Sequence, residues 1–432
     1  MKLKAHWQIL IAVGLGVGAG LFSIRESAPG FDGIRFLPVY QLIGDLFLNA
    51  LKMIIVPLIL SAIISSISGF GGEQGLGRIG IKALLIYLTT SLSAILVALT
   101  LVTVISPGLI NGQAAKYVVS LPKEVTADDQ KKITNKDAST LKGVLTSLIP
   151  TNIVAAAADN HKLLGLIFFS LLFALFITRL TPKLREVQIS FWQSFFEVMM
   201  AMTQWVMRFA PVGVFGLVAA AIAGLKLPEI EVMAGMMMRF FLTVTLGLAI
   251  HAFILLPLIL LLIGRANPLA HFRAVAPALL TAFSTASSAA TVPVTLECVE
   301  RNAGVSKRTT SVLIPLGATV NMDGTALYEC VAAVFIAQAY GVDLSFSQLF
   351  VLGVVALLTS FGMAGIPAAS LVAISVILAI FNVPLEGIGL LLIVDRLLDM
   401  LRTAVNVLSD TVVAVTVAKT EGEEQVLRTR VE

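Results

Sequence analysis

Apolar positions fall in long runs separated by short polar gaps. The runs cover roughly 7–23, 40–68, 79–106, 141–180 (with breaks), 187–222 and 231–263. A helix that crosses a bilayer needs about 20 apolar residues, so each run predicts a membrane helix. Several are longer than that, which predicts tilt or irregular breaks. The run from Ile9 to Phe22 follows Lys2 and Lys4 and resembles a signal peptide in outline. It lacks a small-residue cleavage site and further spans follow, so it reads as the first membrane helix. The polar insert 111–142 carries Lys116, Lys123, Glu124, Asp128 and Asp129 among its charges and predicts an exposed loop.

The second half of the chain departs from this pattern. Three apolar segments are interrupted by small polar residues with glycine or proline: TAFSTASSAATVPVT (281–295), PLGATVNMDGT (315–325) and TSFGMAGIPAAS (359–370). A continuous lipid-facing helix would not tolerate them. Broken backbone at membrane depth persists only where protein or a watery cavity surrounds it. The first and third segments share an apolar arm, a small-residue tip with a proline, and a second apolar arm, each arm too short to span. Paired interruptions of this kind point to a transporter's binding site.

Composition narrows the class. Of 432 residues, 57% are hydrophobic and 13% charged, with a mean hydropathy of +0.95. Soluble domains carry about 25% charged residues, so a soluble enzyme is excluded, as is a disordered or collagen-like chain. The net charge of +4 does not indicate nucleic-acid binding, because the basic residues sit mostly in the gaps between runs. Arg78 and Lys82, Arg179 and Lys183, Arg265 and Arg273, and Arg301 and Lys307 fall on alternate connections; those at 224–230 and 341–347 are poor in them. The positive-inside rule then places both termini in the cytoplasm.

The last apolar segment holds the chemistry. Asp395, Asp399, Arg402, Asn406 and Asp410 follow one another at intervals of four, three, four and four residues. On a helix they fall on one stripe about 80° wide. A charge inside a membrane costs about 2.5–3.5 kcal/mol on insertion scales, and such residues mark ligand or ion paths. The bland alternative is a mutually paired structural network. Arg402 offers a planar fork suited to a carboxylate, and Asp399, one turn away, suits an ammonium. In NMDGT, Asn321, Asp323 and Thr325 supply side-chain oxygens, while Gly317 and Gly324 permit an unwound backbone; a hard cation such as sodium favours such oxygens.

Other residues carry weaker signals. Tyr87, Thr90 and Ser91 form a polar cluster in an apolar span, where Ser and Thr often bond their own helix. Cys298 and Cys330 fit no zinc or CxxC spacing and read as small buried residues. His6, His161, His251 and His271 form no ligand spacing, and most read as interfacial. The chain has no Walker loop and no GxSxG elbow. Ser287 and Ser288 have no base nearby and read as hydrogen-bond donors rather than catalysts.

Taken together, LKMIIVP (51–57), MRFAPVGVF (207–215), STASSAATVP (284–293), NMDGTALYE (321–329), GMAGIP (362–367) and DMLRTAVNVLSD (399–410) are specific. From the first span through Lys419 the chain resembles the dicarboxylate/amino acid:cation symporters, the family of glutamate transporters. The resemblance implies an all-α integral membrane fold with eight transmembrane helices and two re-entrant helical hairpins, assembled as a homotrimer in the plasma (inner) membrane. Residues 1–222 would supply scaffold and trimerisation spans, with 79–106 mobile and a polar loop at 107–142. Residues 223–420 would form the transport core: hairpin 1 (264–300), a broken helix (305–339), hairpin 2 (346–383) and a last helix (386–419), followed by a cytoplasmic tail at 421–432.

The resemblance also implies site residues. Substrate would be held by Arg402 and Asp399 with Asn406, Thr403 and Thr325, and by Ser288, beside Ser287, and Ile366 at the hairpin tips. One sodium would sit at Gly317, Asn321, Asn406 and Asp410. A second would take backbone oxygens of Thr319, Ser360, Phe361 and Met363 near the Met322 sulfur. A third would sit at Tyr87, Thr90, Ser91, Asn321 and Asp323. Proton-coupled relatives tend to carry asparagine at Asp410 and leucine at Met322, and neutral amino acid exchangers lack Arg402, so the sodium-coupled, acidic-substrate branch is favoured. Archaeal members carry an arginine at the position of Ala286 and animal members one at that of Met400; here Asp395 lacks that expected partner. Glu329 resembles the animal acid tied to proton co-transport, with a structural acceptor as the alternative.

These readings predict a sodium-driven symporter for L-aspartate or L-glutamate, not an enzyme, working as an elevator with three co-transported sodium ions. The alternative is a proton-coupled carrier of glutamate, aspartate or C4-dicarboxylates.

Overall fold

The structure, a computed structural model, describes residues 5–25, 36–69, 78–121, 149–158, 163–360, 369–381 and 383–427. Among the described residues the regular structure is helical, apart from a two-residue ladder pairing Leu109–Ile110 with Gln113–Ala114. Helices α1 (Ala5–Arg25), α2 (Leu37–Gly69) and α3 (Arg78–Ile105) occupy the first three apolar runs. The broken run yields α4 (Ile153–Ala157) and α5 (Leu163–Ile177). The run at 187–222 is two helices, α6 (Pro182–Met207) and α7 (Ala210–Ala223), bent 55° to each other. Pro211 stands in the first turn of α7, and proline has no N–H with which to continue the preceding ladder.

The next run is also interrupted. Helix α8 (Leu227–Ile250) passes through a π-helical turn at His251–Leu255 into α9 (Leu256–Leu262). Helices α10 (Pro268–Thr285) and α11 (Ser288–Glu297) pack against each other across a tip at Ala286–Ser287. Ala286 is left-handed there, at φ 49° and ψ 41°, and Ser287 caps α11 by accepting from the Ala290 N–H at 3.2 Å. Helices α12 (Lys307–Val320) and α13 (Asp323–Ala339) are separated by two non-helical residues, Asn321 and Met322. Helices α14 (Phe346–Ser360) and α15 (Ala369–Ile380) precede the longest buried helix, α16 (Ile388–Thr420). The predicted tip residues Phe361, Met363 and Ile366 lie outside the described residues.

Five helical stretches among the described residues are long and apolar enough to cross a membrane, or six if α6 and α7 are one span. Two packing groups are evident. In the first, α2 lies against α5, α6 and α7, and α1 lies against α7. The outer face of α6 shows Val187, Phe191 and Trp205 more than half exposed, as suits a helix whose solvent is hydrocarbon. In the second, α3, α8, α10, α12 and α13 surround α16. Every residue of α13 except Gln338 is buried. That burial is what permits a helix break at this depth, because protein satisfies the freed backbone groups that lipid could not.

The chain after α16 folds back on this second group. Glu421 pairs with Lys82 and, at 3.2 Å, with Arg78, both at the start of α3. Glu423 accepts from the Ser306 N–H at 2.7 Å and from the Thr309 hydroxyl at 2.6 Å, closing the N-terminus of α12. The Leu427 N–H donates to the Ala303 carbonyl at 2.8 Å.

Candidate functional site: charges and oxygens around the last helix

Two glycines bring α12 and α13 against α16. A Cβ at Gly317 would lie 2.4 Å from Asp410 Oδ1 and 3.1 Å from the Tyr87 hydroxyl. A Cβ at Gly324 would lie 2.6 Å from the Arg402 carbonyl oxygen. Neither gap admits a side chain, so the helix break can sit flush on the polar stripe.

The stripe of α16 faces inward along its whole length. Asp395, Asp399, Arg402, Asn406 and Asp410 are all buried, none more than 6% exposed. The upper part is a set of ion pairs. Arg402 Nε and Nη2 reach Asp399 Oδ1 at 3.0 and 2.8 Å, and Nη1 reaches Asp395 Oδ1 at 3.3 Å. The guanidinium lies 4.3 Å from the centroid of the Tyr328 ring, and the Tyr328 hydroxyl donates to Asp395 Oδ1 at 2.8 Å. Asp395, without the arginine that relatives carry at the positions of Ala286 or Met400, has Arg402 and Tyr328 as partners. Arg396 Nη1 donates to Asp399 Oδ2 at 3.2 Å. Two buried carboxylates thus face two buried guanidinia, which offsets a desolvation cost that neither sign could bear alone.

One turn further on, Asn406 links α16 to the start of α13. Its Oδ1 accepts from the N–H groups of Gly324 at 2.8 Å and Thr325 at 3.3 Å, and its Nδ2 donates to Thr325 Oγ1 at 3.0 Å. Thr403 spends its hydroxyl on the Asp399 carbonyl at 2.7 Å.

The lower part is a knot of oxygens. Asn321 Nδ2 donates to Asp410 Oδ1 and to Ser409 Oγ, both at 2.9 Å. Ser409 donates to Asp323 Oδ2 at 2.6 Å. From α3, Ser91 donates to Asp323 Oδ1 at 2.6 Å, and Thr90 lies 3.3 Å from both Asp323 Oδ1 and Asn321 Oδ1. Thus Thr90, Ser91, Asn321, Asp323 and Asp410 come together although they are far apart in the chain. Tyr87 is buried beside them, but its hydroxyl donates to the Leu313 carbonyl at 3.0 Å.

Other expected residues are more dispersed. Ser288 is buried at the α10–α11 tip, where the Ser287 hydroxyl accepts from the N–H of Ala290. Thr319 is exposed and bonds back to the Leu316 carbonyl. Ser360 is buried at the end of α14 and bonds to the Leu357 carbonyl. Met322 is buried and packs with residues of α2, α5 and α15. Glu329 is fully buried; its Oε2 accepts from the Thr359 hydroxyl at 2.9 Å, and its Oε1 has no partner among the described residues.

Three participants escaped the sequence reading. Ser409 adjoins Asp410 but lies off the stripe. Arg396 adjoins Asp395 in the same way. His251 is fully buried, not interfacial, and its Nε2 lies 3.1 Å from Asp323 Oδ2. It begins the π turn between α8 and α9, and such turns recur at functional sites. His271 is also buried, with Nε2 3.1 Å from the Thr411 hydroxyl.

An all-helical, multi-pass membrane protein whose charges are paired inside, around a broken helix, belongs to the class of transporters. The sodium:dicarboxylate symporter family model matches residues 5–420, and the chain belongs to that family. It is 34% identical to the proton/glutamate-aspartate symporter of Escherichia coli (strain K12), over 98% of this chain and 94% of that protein. It is also 34% identical to the putative sodium-dependent excitatory amino acid transporter glt-4 of Caenorhabditis elegans, over 93% and 86% of the two chains. Excitatory amino acid transporter 3 of Homo sapiens is 34% identical, over 94% of this chain and 84% of its own.

Proposed function

We propose that the protein is a secondary active symporter that couples inward sodium flux to uptake of L-aspartate or L-glutamate. The observation that carries the substrate assignment is the buried Arg402, whose side chain meets only Asp399, Asp395 and the Tyr328 ring among the contacts above. A guanidinium so placed is matched by a substrate carboxylate, while Asp399 is matched by an ammonium. Thr403, Asn406 and Thr325 adjoin Arg402 and Asp399, Ser288 is added to the proposed set from the α10–α11 tip, and the Escherichia coli relative is named as a glutamate-aspartate symporter. Ser287 and Ile366 complete the proposed set at the hairpin tips.

Sodium, as cargo, is assigned to the oxygen knot. Asp410, Asn321, Asp323, Thr90 and Ser91 converge there, with Tyr87 adjacent, and hard oxygen donors suit a hard cation. The carbonyls near Thr319 and Ser360, with Met322, Phe361 and Met363, form the proposed site beneath the second hairpin. Coupling is then differential binding: sodium orders Asn321 and Asp323, and Asn406 and Thr325 beside them complete the pocket. The reading includes a homotrimer in the plasma membrane, both termini cytoplasmic, with the group around α16 moving as an elevator against the α1, α2, α5–α7 group.

A second reading, proton coupling, is favoured by Glu329, whose Oε1 is buried without a partner among the described residues, and by the likeness to the Escherichia coli proton/glutamate-aspartate symporter. Uptake of labelled aspartate into proteoliposomes, with sodium and proton gradients imposed separately, distinguishes the two. Accumulation driven by sodium alone supports the first; accumulation driven by protons without sodium overturns it.

A further inference from the structure

Ser409 stands between the two acids of the oxygen knot. Its hydroxyl donates to Asp323 Oδ2 at 2.6 Å and accepts from Asn321 Nδ2 at 2.9 Å. Asn321 Nδ2 also donates to Asp410 Oδ1 at 2.9 Å. All four side chains are buried, none more than 2% exposed. Elsewhere on α16, Thr403, Thr411 and Thr420 return their hydroxyl protons to a carbonyl about one turn back, as hydroxyls within helices commonly do. Ser409 instead spends its proton on another helix. A carboxylate only accepts, and a hydroxyl has a single proton. With that proton on Asp323, Ser409 offers Asn321 lone pairs alone. Asp410 and Ser409 therefore both require the NH2 end of Asn321. The Oδ1 of Asn321 is left facing α3, 3.3 Å from the Thr90 hydroxyl.

We infer that Ser409 is a positioning residue for cation coupling: it keeps Asn321 Oδ1 aimed at α3 when Asp410 turns to a cation of its own, so that the sites at Asp410 and Asp323 fill together. The inference rests on the sodium reading given above, in which Asn321 serves both sites. A cation at Asp410 competes with the Asn321 N–H for the carboxylate. Without the Ser409 hydroxyl, the amide would then lose its remaining anchor on α16 and be free to turn. The Asp323 site would lose an oxygen as the Asp410 site gained its ion. With Ser409, the second N–H of Asn321 stays seated on a hydroxyl that Asp323 itself orients. Filling one site then leaves the other assembled, which is the condition for positive coupling between them.

The test is calorimetric titration of the purified full-length protein with L-aspartate over a series of sodium chloride concentrations, ionic strength being held constant with choline chloride. Wild type shows a steep sodium dependence, with a Hill coefficient above unity. Ser409→Ala removes the hydroxyl and little volume. It lowers the coefficient toward unity and raises the sodium concentration for half-saturation about tenfold, within the range usual for coupling between sites. It weakens aspartate binding far less at saturating than at limiting sodium, a separation that a merely structural serine would not produce. If Ser409→Ala does not fold, Ser409→Gly removes the same hydroxyl and carries the comparison. An unchanged sodium titration in the variant, an equal weakening of aspartate at saturating and limiting sodium, or a wild-type coefficient of unity overturns the inference. Aspartate binding by wild type that is indifferent to sodium would instead overturn the underlying assignment of the knot.

Discussion

Asn321 and Asp410 meet across two helices, the amide of one donating to the carboxylate of the other at 2.9 Å. The contact joins the break between α12 and α13 to α16, so anything that alters the charge of Asp410 is felt at the start of α13. Asp410→Asn is expected to weaken the sodium dependence of aspartate binding. Coupling between sites is commonly about 1–3 kcal/mol, so the sodium concentration for half-saturation should rise by about tenfold. An unaltered sodium titration would count against the assignment.

Gly317→Ala tests the same junction by volume rather than charge. The new methyl would meet Asp410 Oδ1 at 2.4 Å. Overpacking of this kind costs about 1–3 kcal/mol. Thermal unfolding in detergent should show a lower midpoint, and sodium should restore less of it than in wild type.

Arg402→Cys removes the guanidinium and leaves Asp395 with Tyr328 and Asp399 with Arg396. Truncating one partner of a buried charge pair costs about 2–5 kcal/mol. Aspartate and glutamate affinity should fall correspondingly, and neutral amino acids should compete where they did not before. Competition binding with labelled aspartate reads both effects.

His251→Ala takes from Asp323 a buried partner at 3.1 Å. Loss of one buried polar partner costs about 1–3 kcal/mol. The proposed role at the sodium knot predicts weaker sodium binding with substrate affinity at saturating sodium nearly preserved; equal loss of both would mark a purely structural histidine.

The folded-back tail gives a pH prediction. The hydrogen bond from Lys82, helped by Arg78, holds the Glu421 carboxyl below its ordinary value. For Glu423, burial acts upward but the bonds from Ser306 and Thr309 prevail, and it too is lowered. A carboxyl lowered in the folded state contributes stability that is present above its unfolded pKa and is lost as pH falls through the folded one. Docking of 421–427 should therefore hold at neutral pH and weaken below the usual carboxylate range. Limited proteolysis at the C-terminus, as a function of pH, should show faster cleavage in acid, and Glu423→Gln should show it already at neutral pH.

Much of this arrangement was legible in the sequence because it lies along single elements. The α16 stripe repeats at helical spacing, and the NMDGT break announces itself by its polar composition. The partners of those residues were less legible. Ser409 and Arg396 adjoin stripe residues but project about 100° away, so periodicity alone assigned them nothing. His251 sits within an apolar run and is brought to Asp323 only by tertiary packing. Tyr328 shares the buried helix α13 with Glu329, and its role as a platform for Arg402 depends on a contact between helices. The length of the 187–222 run predicted tilt or a break, but hydropathy did not place the bend between α6 and α7, because both arms are apolar.

Helix α13 is jacketed by other helices on nearly all sides. Acyl-chain length and headgroup type therefore have no direct route to the cluster at Asp323 and Asn406. Binding constants obtained in micelles should carry over to vesicles of varied thickness, while turnover, which under the proposed elevator involves the outer helices, should vary with the lipid.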